Sequence, residues 1–161
     1  VVGKPLDSGF MDYLRKLAKG KQVEFLHNVE DRELLCIYQE ASAIVLPSVY
    51  KTRFGESSRV PELLGQTLLE GMACAIPAVC TDVASMPEVV VDGKTGFIVP
   101  PNDPKTLAKR LQWLKANPDS AEQMGKAGLR RVSEYFDWNR VVDDCFRIYG
   151  LPTLKNISDL L

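Results

Sequence analysis

The chain has 161 residues, 45% of them apolar and 25% charged, and its 20 basic and 21 acidic side chains leave a formal net charge of −1. That composition suits one globular domain with a single core, and the absence of a basic stripe argues against nucleic acid as a partner. No apolar run approaches the roughly 20 residues that span a bilayer, and no charged-then-apolar signal segment opens the chain.

The expectation is therefore a cytoplasmic protein without a transmembrane segment, with membrane association through upstream sequence left open. Cys36, Cys74, Cys80 and Cys145 form no CxxC pair, and His27 is the single histidine. Too few ligands remain for a zinc site, so no metal is expected, and the cysteines read as reduced, mostly buried thiols.

In chain order, Val1-Val2-Gly3 reads as the tail of a buried strand, with a first strand and helix expected upstream. Phe10, Leu14 and Leu17 fall at i, i+4 and i+7, the inner face of a helix between Asp7 and Lys19. Val23 to Leu26 reads as a short strand. Asp31 is placed to cap a second helix with Leu34, Leu35, Tyr38 and Ala41 inward, and Ala43 to Leu46 is the next strand. A polar loop from Pro47 to Pro61 leads to a helix starting near Thr67, with Leu68, Leu69 and Met72 inward. The strand Ala78 to Cys80 follows, then a helical turn at Pro87 to Val90, where Asp82 is a candidate cap. Asp92-Gly93 turns the chain into the strand Phe97 to Val99.

Asn102 or Asp103 caps the next helix, Pro104 suits its first turn, and Leu107, Leu111 and Leu114 form its inner stripe. Two further helices are expected, Asp119 to Tyr135 and Trp138 to Tyr149, the second burying Val141, Val142, Cys145 and Tyr149. Trp113 and Trp138 read as packing residues. Residues 1–150 form one domain and 151–161 a tail. Short apolar strands alternating with amphipathic helices imply an α/β fold, a Rossmann-like parallel sheet with helices on both faces. Ligands in such sheets sit beyond the carboxyl ends of the strands, here the loops after Leu26, Leu46 and Cys80.

The chemistry concentrates between Glu62 and Glu70. A loop passes through Gly65 into a helix, so the amides of Gln66, Thr67 and Leu68 point outward at the positive end of the helix dipole and make an anion site. Gly65 lets backbone approach a phosphate closely. Glu70, one turn in, leans back toward the helix start and can accept two hydroxyl hydrogens of the kind a ribose presents. Glu62 lies on the far side of the phosphate position, where a sugar joined to a diphosphate would be.

The pair Glu62 and Glu70, seven residues between them, with the continuation Leu69-Glu70-Gly71-Met72-Ala73-Cys74-Ala75-Ile76-Pro77, resembles the signature of the retaining GT-B type glycosyltransferases in the glycosyl transferases group 1 family. Val23-Glu24-Phe25-Leu26, Leu46-Pro47-Ser48, Thr81-Asp82-Val83, Pro87-Glu88-Val89-Val90 and Asp92-Gly93-Lys94-Thr95-Gly96-Phe97 resemble family landmarks in family order, up to about Gly150. The resemblance implies the C-terminal, donor-binding half of a GT-B fold, without its first strand and helix. A nucleoside diphosphate sugar would be held with its diphosphate at Gly65, Gln66, Thr67 and Leu68, its ribose on Glu70 and its sugar on Glu62, the catalytic candidate. His27, Asn28 and Val29 would lie near the nucleobase. No cofactor is implied. The acceptor, a glycan, lipid or small molecule, would bind an N-terminal domain outside this chain, so this chain alone would be inactive.

Three departures stand out. The loop from Val49 to Pro61, carrying Lys51, Arg53 and Arg59, is longer than the family's. Leu63-Leu64-Gly65 lacks its usual aromatic, and the basic pair that neutralises the diphosphate in the family belongs to the missing first strand and helix. Two other readings fit parts of the pattern: a sugar-nucleotide epimerase of GT-B type, and a non-catalytic nucleotide-binding domain.

Overall fold

The structure, a computed structural model, describes residues 1–4, 8–52, 54–59 and 62–152. These fall into two compact units, Val1–Ile37 and Tyr38–Leu161.

In the first unit, helix α1 spans Ser8–Ala18 and α2 begins at Asp31, running to Glu40. Met11 is the buried residue of α1, whereas Phe10 and Leu17 are half exposed. The inner stripe is therefore Met11, Leu14 and Ala18, rotated from the expected Phe10, Leu14 and Leu17, and Phe10 stacks on Tyr13 instead. The expected strand Val23 to Leu26 shortens to a single parallel bridge between Val2 and Leu26. Gly3 N–H donates to Leu26 and Leu26 N–H to Val1, at 3.0 and 2.8 Å. Val23 turns away, its amide bonded to the Lys21 carbonyl. At the start of α2 the Glu30 carbonyl accepts the Leu34 amide, so Asp31 is a first-turn residue whose charge favours the helix dipole and not the cap itself. Leu35, expected inward, is half exposed, and Tyr38 is buried.

The second unit is built on a parallel sheet of β1 (Ile44–Leu46), β2 (Ala78–Thr81) and β3 (Gly96–Val99), in that spatial order. Helices α3 (Gln66–Ala73) and α4 (Met86–Val89) lie in the two crossovers. The alternation of side chains across a strand divides the core in two. Ala78 and Cys80 of β2 join Leu68 and Met72 of α3 and Met86 and Val89 of α4 on one face. Val79 joins Phe97, Val99 and Leu114 on the other, where α5 (Pro104–Ala116) lies. Helix α6 (Pro118–Tyr135) feeds both clusters, through Met124 on one side and Val132 on the other.

Gly125 makes that packing possible, since a Cβ there would stand 1.9 Å from the Ala75 carbonyl oxygen at the end of α3. Arg131 of α6 donates to the carbonyls of Val89 and Glu88, capping α4 with a cation where its dipole is negative.

The final helix, α7 (Trp138–Ile148), forms as expected, but none of its residues is buried. Val141 and Cys145 are exposed, Tyr149 is 76% exposed, and Trp138, read as a packing residue, is 80% exposed. Trp113 does pack, edge-on against Phe97 at 5.2 Å between ring centres. Among the cysteines only Cys80 is fully buried, and Cys36 is exposed like Cys145. Burial, with Asp82 and Asp92 nearby, pushes the Cys80 thiol up to about 12, which leaves it inert at neutral pH. Among the described residues no helix is long and apolar enough to cross a membrane.

Candidate functional site

The loop between β1 and α3 leaves the carboxyl end of the sheet and folds back on itself. Lys51 and Ser57 form an antiparallel bridge, Thr52 N–H donates to Glu56, and Ser58 N–H donates to Tyr50. Three further bonds pin this turn to neighbouring loops. The Thr81 hydroxyl donates to the Ser48 carbonyl at 2.6 Å, the Ala84 amide to the Tyr50 hydroxyl oxygen at 2.8 Å, and the Asn102 amide group to the Lys51 carbonyl at 3.3 Å. Thr81 thus ties two strand ends together. Asp82 does not cap α4, whose N-cap is Ser85, and the Ser85 hydroxyl donates to the Leu63 carbonyl. Lys51 and Arg59 are exposed. Arg53 and Pro61 lie outside the described residues.

The loop enters α3 through Gly65, which has φ 70° and ψ 44°. A left-handed N-cap suits glycine, because an L side chain would crowd the following carbonyl. No side chain caps this helix. The Gly65 carbonyl accepts the amides of both Leu68 and Leu69, at 2.8 and 3.3 Å. Leu68 therefore departs from the expectation: its amide is spent on closing the first turn, and its side chain is fully buried. The amides of Gln66 and Thr67, both exposed residues, have no acceptor among the described residues and stand at the positive end of the helix.

Both glutamates border this helix start. Glu62 is half-buried, and its carboxylate accepts the amides of Leu63 and Gly65 at 3.1 and 3.2 Å. It folds over its own loop and satisfies two donors next to the open pair. Glu70, one turn into α3, is exposed. Its Oε2 accepts the hydroxyl of Tyr38 at 2.8 Å. Burial first, then the bond to Glu70, hold the Tyr38 hydroxyl well above the usual phenol range, so it stays protonated and donating. Cys74, the next turn along, is pushed up by burial and then by the Glu70 charge.

Sequence reasoning read Tyr38 as core only. The signal was there in principle, since a buried tyrosine hydroxyl ordinarily finds a partner.

Gly65, Gln66, Thr67, Leu68, Glu62 and Glu70 thus share one loop and helix start in the second unit. His27, Asn28 and Val29 belong to the first unit. There the His27 Nδ1–H donates to the Gly3 carbonyl at 2.6 Å, and Nε2 is buried with no partner among the described residues. Asn28 takes φ 57°, a left-handed position that asparagine tolerates better than most residues.

A cavity of about 530 Å³ opens at the other, amino-terminal end of the strands, lined by Ala43, Ile76, Pro77, Leu111, Leu114 and Pro118. Its walls are mostly apolar but include Ser42, Lys115 and Glu122, and neither Glu62 nor Glu70 lines it. A smaller one, about 170 Å³, lies at the carboxyl ends among Pro47, Thr81, Pro100 and Asn102.

The family model described as glycosyl transferases group 1 matches residues 1–131. This chain belongs to that family. It is 38% identical over 132 residues to the alpha-maltose-1-phosphate synthase of Mycolicibacterium smegmatis, a match covering 78% of this chain and 30% of that relative. Among solved structures, the sucrose-phosphate synthase of Thermosynechococcus elongatus superposes with a TM-score of 0.73 and 29% identity, over 92% of this chain and 37% of that one. The Anabaena protein HepE, solved in complex with UDP-glucose, shares the fold at a TM-score of 0.66 and 20% identity, over 84% of this chain and 36% of that one. The fold is that of the GT-B glycosyltransferases. The group 1 chain described here spans about a third of the length of these relatives.

Proposed function

We propose that this chain is the donor-binding part of a retaining glycosyltransferase, one that moves a sugar from a nucleoside diphosphate sugar to an acceptor hydroxyl. The carrying observation is the start of α3: two amides without acceptors among the described residues, at the positive end of a helix, flanked by Glu62 and Glu70, at the carboxyl edge of a parallel sheet. HepE, solved with UDP-glucose on the same fold, supports a nucleotide-sugar donor. On this reading the amides of Gln66 and Thr67 hold the diphosphate as charge develops on it. Glu70 takes the ribose hydroxyls, and Glu62 leaves its loop amides to position the sugar and stabilise its cationic centre. The scheme routes no step through a metal or cofactor.

The acceptor, a glycan, lipid or small molecule, would be held by sequence outside this chain, in keeping with the share of its relatives that it spans. Positioning of the two reactants can be worth roughly 7–11 kcal/mol, so the chain by itself is expected to bind nucleotide without transferring sugar. Affinity for a nucleoside diphosphate is expected in the millimolar range, on the order of −4 kcal/mol.

Titration followed by amide NMR tests the assignment. Glu70→Ala should weaken nucleoside diphosphate binding by about 1.5–3 kcal/mol, on the order of tenfold or more, and Glu62→Ala by much less. Equal affinity in wild type and Glu70→Ala would remove the ribose assignment.

A further inference from the structure

We infer that Tyr38 is a positioning residue for Glu70, holding its carboxylate so that the remaining oxygen faces the ribose of a bound nucleotide. The inference rests on the donor-binding reading above and adds to it a residue outside the glutamate signature. Glu70 is exposed, with a long side chain that in water would sample many rotamers. Among the described residues one hydrogen bond restrains it: that from the hydroxyl of Tyr38, 2.8 Å from Oε2. The tyrosine is well suited to this. It is 8% exposed and sits near the end of α2, so its ring is fixed by packing and its hydroxyl cannot follow the carboxylate outward. Burial and the neighbouring negative charge keep the phenol protonated, so it only donates here.

The carboxylate is thereby divided. Oε2 is taken by the tyrosine, and Oε1 makes no hydrogen bond among the described residues, leaving it free to accept from a ligand. A charge-assisted bond from a fixed donor also lowers the entropy lost when a hydroxyl-bearing ligand arrives, because the carboxylate is already in place. A phenylalanine would fill the same space and leave the carboxylate loose.

The experiment compares nucleoside diphosphates with their 2′,3′-dideoxy counterparts on the 161-residue chain. ADP, GDP and UDP are screened by NMR titration, and the strongest binder is carried forward as the probe. The readout is the ratio of the two dissociation constants, which a general loss of stability leaves unchanged. Wild type should prefer the ribonucleotide by about fivefold or more. Glu70→Ala should abolish the preference, and Tyr38→Phe should cut it to less than about twofold while binding of the dideoxy compound stays the same. If Glu70→Ala keeps the preference, the ribose assignment itself falls. If Glu70→Ala loses it and Tyr38→Phe keeps it in full, the ribose assignment stands and the positioning role of Tyr38 is overturned.

Discussion

Two helices start at the carboxyl edge of the same sheet and begin in opposite ways. Helix α5 is closed by its own aspartate: the Asp103 carboxylate accepts the Thr106 amide at 3.0 Å and the Thr106 hydroxyl at 2.6 Å, and Pro104 removes one orphan amide outright. Helix α3 starts at a left-handed glycine with no side-chain cap. Donors without acceptors cost stability, and although the packing helix α6 also begins without a side-chain cap, Pro118 in its first turn removes one open amide, whereas α3 has no proline there. Leaving them open makes sense where something from outside completes them. The contrast is sharpened by Glu62, whose carboxylate stops short of the helix proper, on the amides of Leu63 and Gly65.

The strongest way to break this contrast is to close α3 as α5 is closed. Gly65→Asp places a carboxylate at the helix start, within an N-cap's reach of the open Thr67 amide, where it competes with a diphosphate and repels it. The new Cβ meets the Leu68 Cδ1 methyl at 3.1 Å, a flexible neighbour that can give way, and aspartate tolerates positive φ better than most residues. Nucleoside diphosphate affinity should fall by about 1.5–3 kcal/mol, the worth of a charge-assisted hydrogen bond, on the order of tenfold or more. Unchanged affinity in an NMR titration would mean that the open amides of α3 do not hold the phosphates.

Gly65→Ala separates conformation from charge. It leaves the amides free, yet forces a side chain into the left-handed region, at a cost of roughly 1–2 kcal/mol, which lowers Tm by roughly 2–8 °C in a domain of this size. Calorimetry should therefore show a stability loss, with titration showing a smaller change in affinity than Gly65→Asp gives. A larger affinity loss in the alanine variant would point to loop distortion as the controlling factor.

The α3 and α5 starts were both legible in the sequence, because a glycine or aspartate placed just before an apolar stripe has a local physical meaning. Of the two cap candidates, Asn102 and Asp103, the structure uses Asp103, because Asn102 takes φ 60° in the turn and sends its side chain to Lys51. What sequence could not give is pairing across distance. Tyr38 and Glu70 are 32 residues apart, and no spacing rule connects a residue on one helix to a carboxylate on another. Periodicity also names the face that seeks burial without showing that a partner exists. It marked Val141, Val142 and Cys145 as one stripe of α7, yet that stripe is not buried. The strand expected at Val23 to Leu26 dwindled to one bridge for a similar reason, since a ladder needs a neighbour along its length.

The smallest expected effect tests the closed member of the pair. Hydrogen bonds from Thr106, first its hydroxyl and then its amide, hold the Asp103 carboxyl below the usual carboxylate range. The folded state therefore binds this proton less readily than the unfolded chain does. Stability from Asp103 is in full effect above the unfolded aspartate pKa and is lost as pH falls through the lower, folded-state value. Asparagine keeps an acceptor oxygen of similar reach and cannot titrate, so Asp103→Asn should retain most of the cap at neutral pH while flattening the fall of Tm with acid. Both proteins would be melted from pH 7 downward, and the gap between their curves should narrow below the ordinary aspartate range. Curves that stay parallel throughout would show that Asp103 closes α5 by geometry alone, with no contribution from its charge.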